Sequence, residues 1–252
     1  MSAESRVDGA RVAAVVDAVL AAGDPDKVAG KARFFRTGPG QYAEGDQFVG
    51  VSVPTLRTMA RGLTDLDRGD VDALLHSPIH EIRLLALIVM GAAVGKCADA
   101  DQMRGWVRDY LRAVDDGRVN NWDLVDTSAA QVVGQWCVMT SDIGELTRSA
   151  AYESLWRRRV GIVGTHAMIR AGDATAILAV APIVVEDRRD LIQKAFGWML
   201  RETGKRVDSA VLINYLDNHA ARMGATALSY ATEHLDPETR ARYRRQRRAN
   251  QK

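Results

Sequence analysis

The sequence feature that most constrains the fold is a series of apolar runs with helical spacing, each preceded by a basic residue. These basic residues are Arg83, Arg159 and Lys194. With the Asn121–Asp126 segment counted between the first two, they recur roughly every 35–40 residues, close to the period of two-helix HEAT repeats. A helix pair cannot cover its own apolar face, so pairs stack and display one helix each on a concave side. We therefore expect an all-α superhelical solenoid of HEAT-like helix pairs, with a concave face rich in basic and aromatic residues.

The distribution of charge divides the chain into two parts. Residues 240–252 contain seven basic residues and no acid, whereas residues 1–239 have a net charge of −5. No linker interrupts residues 1–239, which we interpret as a single HEAT-like domain. We interpret residues 240–252 as a flexible basic C-terminal tail. Such a tail is usually solvated, but it can also bind a polyanion.

Several function classes have no support in the sequence. Cys97 and Cys137 lack the spacing of a disulfide framework or a metal site, and no signal-like or membrane-length apolar run occurs, so we expect a cytoplasmic protein. His76 and His80 have the spacing of a helical zinc pair, but Pro78 lies between them, and we interpret them as a surface turn. Hydrolase triads, zinc-protease motifs and dinucleotide-binding glycine motifs are also missing.

The segment from Asn120 to Thr127 carries the clearest functional pattern. Asn120 or Asn121 can cap a helix, and Asp123 then lies in the first turn, where the helix dipole favours negative charge. Trp122 and Asp126 lie four residues apart and share a face. Because the surrounding positions are apolar, a carboxylate at Asp126 requires a cationic partner or a function.

Two later stretches resemble this one in character, namely the run Trp156–Arg159 and the run Gly197–Glu202. Taken singly, each tryptophan is more often a core residue, and an arginine run is more often a solvated face. Taken together, two tryptophans, a carboxylate and an arginine can surround a cationic group and bind a nearby phosphate.

The same stretches resemble the signatures of the AlkD-like DNA alkylation repair family of HEAT-like DNA glycosylases. The resemblance spans residues 30–235 and includes Asn121–Asp126, Trp156-x-x-Arg159, Gly197–Glu202, Phe48–Arg57 and Leu228–Leu235. It implies hydrolysis of the N-glycosidic bond of N3- or N7-alkylated purines in duplex DNA, as in base excision repair, without a base-flipping pocket. It also implies a protein that uses no metal or organic cofactor, and we expect a monomer.

The resemblance implies roles for individual residues. Asp126 matches the catalytic acidic residue, Trp122 and Trp198 match the aromatics that flank the lesion, and Arg159 matches the arginine that supports the site at the DNA backbone. Arg201 and Lys205 match basic positions that meet phosphates, and we assign Lys194 to DNA binding with them.

The chain also departs from the family pattern. Ser52-Val53 stands where similar proteins carry Gln-Thr, Phe34 replaces a tyrosine, and Met223-Gly224-Ala225 replaces Met-Pro-Arg. The loop Gly38–Asp46 is an insertion. The alternative function is a non-catalytic HEAT-like module that binds unusual DNA structures or a protein partner, in which Asp126 and Arg159 form only a structural pair.

Overall fold

The structure is a computed structural model that describes residues 3–249, with the backbone alone for residues 3–8. The chain falls into an N-terminal unit, Met1–Val132, and a C-terminal unit, Val133–Lys252. In the described residues the only β-structure is an isolated bridge between Gln47 and Ile79. The predicted all-α class is confirmed.

The N-terminal unit contains the helices α1 (Ala3–Ala21), α2 (Pro25–Phe34), α3 (Val53–Arg61), α4 (Arg68–Leu75), α5 (His80–Val94), α6 (Ala100–Asp115) and α7 (Trp122–Ala129). Helix α5 is apolar around most of its circumference and is therefore buried, packing against α3, α4 and α7. A π-helical turn, Ala130–Gly134, follows α7.

The C-terminal unit contains α8 (Gln135–Thr140), α9 (Gly144–Ala151), α10 (Leu155–Val163), α11 (His166–Arg170), α12 (Thr175–Val184), α13 (Asp190–Arg206), α14 (Ser209–His219), α15 (Ala225–Ala231) and α16 (Pro237–Ala249). Helix α9 packs on α10 and α12 packs on α13, while α9 contacts α12 and α10 contacts α13. Successive helix pairs thus stack in two layers within this unit, as the apolar pattern predicts.

Side-chain caps explain several helix starts. Asp67 and Asp70 form a capping box at α4, with Asp67 Oδ1 accepting from the Asp70 amide at 2.9 Å and Asp70 Oδ2 accepting from the Asp67 amide at 3.3 Å. Helix α13 runs to Arg206, and Asp208 then caps a new helix by accepting from the Ala210 amide at 2.8 Å.

Most of the expected basic tail is helical. Residues 240–249 belong to α16, and residues 250–252 lie outside the described residues. Tyr243 anchors this helix because its ring is fully buried and its hydroxyl donates to Asp217 Oδ1 at 2.8 Å. The tail was defined by its basic residues, and the interpretation of it as flexible did not take Tyr243 into account.

Within residues 3–249, no helix combines the length and apolar character that a membrane span requires.

Candidate functional site

Trp122 begins α7, directly after the residue that caps the helix. Asn121 has an extended backbone, and its Oδ1 accepts a hydrogen bond from the Trp122 amide at 2.8 Å. The Nδ2 of the same side chain donates to the Phe35 carbonyl oxygen at 3.4 Å. Because Asn121 is fully buried, this one side chain ties the start of α7 to the end of α2.

Trp122 belongs to an aromatic cluster in the N-terminal unit. Its ring stacks on Phe35 with centroids 5.6 Å apart and meets Phe34 edge-on at 5.7 Å. Phe35 in turn stacks on Phe48 at 5.2 Å. Aromatic pairs of this kind contribute about 0.5–1.5 kcal/mol beyond the area they bury. Trp122 is half-buried and Phe34 is 64% exposed, so the cluster presents aromatic surface to solvent.

A buried charged network supports the first turn of α7. His80 is 1% exposed, and its Nε2 lies 2.8 Å from Asp123 Oδ2 while its Nδ1 lies 3.1 Å from Asp46 Oδ2. An ionised carboxylate only accepts hydrogen bonds, and a neutral imidazole has only one N–H, so the protonated imidazolium fits this geometry. The network connects the end of loop 38–46 and the start of α5 to α7.

Arg83 extends this network. Its Nη2 lies 2.7 Å from Asp46 Oδ1 and donates to Asn120 Oδ1 at 3.1 Å. The Asn120 Nδ2 donates to Asp46 Oδ1 at 3.0 Å. Two carboxylates therefore face one imidazolium and one guanidinium, so the buried charges balance.

The network shifts the pKa values of its members. Burial alone would lower the pKa of His80, but its hydrogen bonds to Asp123 and Asp46 outweigh burial and raise it above 6.5. Burial alone would raise the pKa of Asp46, but the His80 hydrogen bond and the Arg83 charge outweigh burial and lower it below 3.8. Both shifts favour the charged pair.

Asp126 lies one helical turn after Trp122 on the same face of α7. It is half-buried, so part of the residue is exposed to solvent. Asp123, on the first turn of the same helix, is engaged by His80. The structure therefore places the predicted carboxylate and the first predicted tryptophan side by side on one helix.

The segment that leads into α3 is also held from α5. Glu81 is fully buried, and its two carboxylate oxygens accept from the amides of Val49 at 3.2 Å and Gly50 at 3.0 Å. Lys31 Nζ lies 3.1 Å from Glu81 Oε1. Ser52 then caps α3 by accepting from the Thr55 amide at 3.3 Å, so the serine in the Ser52-Val53 departure has a structural function.

The remaining predicted site residues lie in the C-terminal unit. Arg159 is on α10, is 4% exposed, and its Nη1 donates to the Leu191 carbonyl oxygen at the start of α13. This guanidinium couples two helices that pack together. The role of Arg159 at a DNA phosphate stays a prediction.

Helix α13 carries the other four predicted residues, at positions that form a single stripe. They are spaced by four, three and four residues, which is the spacing of one helical face: Lys194, Trp198, Arg201 and Lys205. Lys194 Nζ lies 2.8 Å from Asp190 Oδ2, and Arg201 is paired with Glu233. Lys205 is exposed. The stripe thus combines one aromatic ring with three cations.

Close packing positions Trp198. A Cβ on Gly197 would lie 2.3 Å from the Ala227 carbonyl oxygen, so only glycine allows α13 to approach α15 this closely. The half-buried Trp198 ring lies 5.7 Å from the His166 ring. Burial lowers the pKa of His166, which favours the neutral imidazole beside the indole.

Another departure from the family pattern has a structural explanation at α15. A Cβ on Gly224 would lie 2.0 Å from Gln193 Oε1, so the glycine leaves room for this amide. The Gln193 Oε1 accepts from the Ala227 amide at 3.4 Å, in the first turn of α15. Gln193 thereby replaces a local cap.

Sequence reasoning missed the members of the buried network. The interpretation of His80 as part of a surface turn is wrong, since this residue begins α5 in the interior, whereas His76 is half exposed. Nothing in the spacing of residues 46, 80 and 123 indicates that they meet. The available signal was local, namely carboxylates at the end of a glycine-rich loop and in the first turn of a helix.

Within residues 3–249, no group of three or more His, Cys, Asp or Glu side chains is arranged to hold a metal ion. Cys97 and Cys137 are free thiols.

Comparisons with known proteins identify the family. A family model described as "DNA alkylation repair enzyme" matches residues 16–235. A solved structure described as "Predicted DNA alkylation repair enzyme from Enterococcus faecalis" is similar in fold, with a TM-score of 0.66 and 15% identity over 85% of this chain and 97% of that chain. No curated protein matches. Because the family model spans most of the sequence, this chain belongs to the family of DNA alkylation repair enzymes.

Proposed function

We propose that this protein is a DNA glycosylase that releases N3- or N7-alkylated purines from duplex DNA by hydrolysing the N-glycosidic bond, without a base-flipping pocket. The observation that carries the proposal is the placement of Trp122 and Asp126 one turn apart on α7, both partly accessible. Family membership supports the substrate class, since the family consists of alkylation repair enzymes.

The chemistry suits a single carboxylate. A purine alkylated at N3 or N7 is already cationic, so the electron pair of the glycosidic bond moves to the base nitrogen and neutralises it without prior protonation. The sugar is left with oxocarbenium character, and water adds at C1′ and loses a proton. Asp126 stabilises the positive charge on the sugar or orients this water, as carboxylates do in glycoside hydrolysis.

Trp122 supplies the preference for a charged base. The face of an indole attracts a cationic base more strongly than it attracts a neutral base. Because Asn121 caps the helix at Trp122 and the Phe34 and Phe35 rings pack against the indole, the tryptophan is held before substrate arrives. Such preorganisation reduces the ordering cost of binding.

The C-terminal unit contributes the remaining proposed roles. Trp198 provides the second aromatic surface, and Arg159, Lys194, Arg201 and Lys205 interact with the DNA backbone. Lys205 is exposed and can meet a phosphate directly, whereas Lys194 and Arg201 exchange Asp190 and Glu233 for a phosphate.

A release assay tests the proposal. Under single-turnover conditions with methylated duplex DNA, Asp126→Asn is expected to slow release of 7-methylguanine or 3-methyladenine on the order of 100-fold. Affinity for undamaged duplex should change little, because the carboxylate acts on charge that develops in the reaction. Asp116→Asn is the matched control, since Asp116 is an exposed aspartate in the same unit. Equal rates for the two variants would refute the role of Asp126.

One observation favours the alternative of a non-catalytic DNA-binding or protein-binding module. Arg159 is buried and bonded to a backbone carbonyl, as a structural arginine would be. The same assay separates the alternatives, because a wild-type protein that binds methylated duplex and releases no base is a binding module.

A further inference from the structure

Helix α16 is a fixed element of the C-terminal unit. Besides the buried Tyr243, Arg247 Nε donates to the Met223 carbonyl oxygen at 3.1 Å, and Gln246 Nε2 donates to the Asp217 carbonyl oxygen at 3.1 Å. These bonds join α16 to α14 and to the turn before α15. The arginines of α16 therefore have defined positions, unlike those of a disordered tail.

A cavity of about 270 Å³ lies between α15 and α16. On the α15 side it is lined by Ala225, Leu228 and Ser229, and on the α16 side by Arg244, Arg247 and Arg248. We call this cavity the α15–α16 groove. Its lining combines three guanidinium groups, one hydroxyl and a small apolar surface.

No acidic side chain that the structure describes forms an ion pair with the arginines of this groove. Among the described residues, Arg244, Arg247 and Arg248 make no ion pair, whereas Arg242 of the same helix is paired with Asp217 at 2.9 Å. Arg244 and Arg248 are exposed and lie four residues apart, where like charges on a helix repel each other. An anion bound in the groove relieves this repulsion.

The residue types indicate which anion fits. A guanidinium presents a planar set of N–H donors that matches phosphate oxygens, and a serine hydroxyl can add another donor. Helix α16 has 13 residues, so it extends for about 20 Å, enough to follow a polymer rather than one small ion.

We propose that the α15–α16 groove binds a phosphate of the DNA backbone through Arg244, Arg247 and Arg248. The choice of DNA as the polyanion rests on the proposed function. The contact is independent of sequence and of damage, so it adds affinity for any duplex and leaves lesion choice to other residues.

Binding of the full chain to a short, undamaged, fluorescein-labelled duplex tests this inference, measured by anisotropy over a series of salt concentrations. Arg244→Gln and Arg248→Gln, made separately, are each expected to weaken binding roughly tenfold at low salt. Each should also lower the slope of log affinity against log salt by up to about 0.9, the value for one phosphate. Both arginines are exposed, so circular dichroism should show an unchanged fold.

Arg245→Gln is the matched control, because it removes the same charge from the same helix at a position outside the groove. It is expected to change affinity less than about twofold. Equal losses in all three variants would show a diffuse field instead of a site, and unchanged slopes in Arg244→Gln and Arg248→Gln would also overturn the inference.

Undamaged duplex carries no lesion, so this result does not depend on excision. If Arg244→Gln and Arg248→Gln lower the salt slope as expected but the wild-type protein releases no alkylated base, the groove proposal stands and the proposed function fails. If the wild-type protein releases the base but both variants bind duplex DNA normally, the groove proposal fails and the proposed function stands.

Discussion

The central helices of the two units use their charged residues in opposite ways. In the N-terminal unit, α5 buries His80, Glu81 and Arg83 at its first turns, where they hold α7 and the segment before α3. In the C-terminal unit, α13 carries the Lys194–Lys205 stripe, which ends in an exposed lysine. Charge on the first helix builds an internal support, whereas the stripe on the second helix is partly exposed and ends in the exposed Lys205.

The net charges of the units follow the same division. Residues up to Val132 include 19 acidic and 15 basic side chains, a net charge of −4, whereas residues from Val133 include 13 acidic and 19 basic side chains, a net charge of +6. A polyanion is therefore attracted mainly by the C-terminal unit. The acidic residue proposed for the chemistry belongs to the other unit.

Removing the internal support of the N-terminal unit should have the largest effect. His80→Ala leaves Asp46 and Asp123 buried without their shared cation, and we expect a loss of stability on the order of 3 kcal/mol. Denaturant unfolding measures the loss, and hydrogen exchange should show faster exchange in α7 than in α13. His76→Ala, at a half-exposed histidine, should cost far less. A similar loss in both variants would mean that the network does not support α7.

In the C-terminal unit, the corresponding weak point is backbone contact. Gly197→Ala places a Cβ against the Ala227 carbonyl oxygen and should destabilise the protein by about 2 kcal/mol. Gly30→Ala in α2 is the control, since a Cβ there meets nothing within 4 Å and should stabilise by about 0.5–1 kcal/mol. Thermal unfolding measures both, and a stabilising Gly197→Ala would contradict the close helix approach.

The stability of the protein should depend on pH through the buried network around His80. Because the folded-state pKa of His80 is raised above 6.5, its contribution is complete below that pH and is lost as pH rises through the folded pKa. Because the pKa of Asp46 is lowered below 3.8, its contribution is present above 3.8 and is lost as pH falls through the folded pKa. Stability should therefore be highest between these limits.

Urea unfolding from pH 4 to pH 9 measures this profile. A change of one pKa unit corresponds to about 1.4 kcal/mol. His80→Gln should flatten the decline on the alkaline side. If the wild-type protein were equally stable at pH 6 and pH 9, the charged form of His80 would not be the one that supports α7.

The smallest expected effect is at the surface of α13. Lys205→Gln should lower the salt slope of duplex binding by about 0.9, because an exposed lysine can meet a phosphate without losing a partner. Arg201→Gln should have a smaller effect, since Arg201 is already paired with Glu233. Fluorescence anisotropy on undamaged duplex measures both slopes. A larger effect of Arg201→Gln would show that phosphate displaces Glu233.

Local patterns predicted much of the secondary structure and the family. Apolar spacing predicted the central helices, and the cap predicted at Asn120 or Asn121 is present at Asn121, where α7 begins. The motifs around Trp122, Trp156 and Trp198 led to the family that the comparison confirms. These signals are short-range, so they survive in a single sequence.

The same reasoning failed where distant residues meet. Tyr243 turns a run of arginines into a docked helix, and its partner Asp217 lies 26 residues away. His80 lies among residues that are 34 and 43 positions distant. Neither contact has a spacing rule, because the chain between the partners folds through several elements.

The sequence alone determined that this chain is all-α, that it belongs to the alkylation repair family, and that Trp122 and Asp126 share a helix face. Helical periodicity and local motifs depend only on neighbouring residues, which explains that success. Only the tertiary structure decided that His80 balances two buried carboxylates and that α16 places three arginines around a groove. Those features arise because a carboxylate in the interior requires a cation and a basic helix requires an apolar anchor, and only folding brings the partners together.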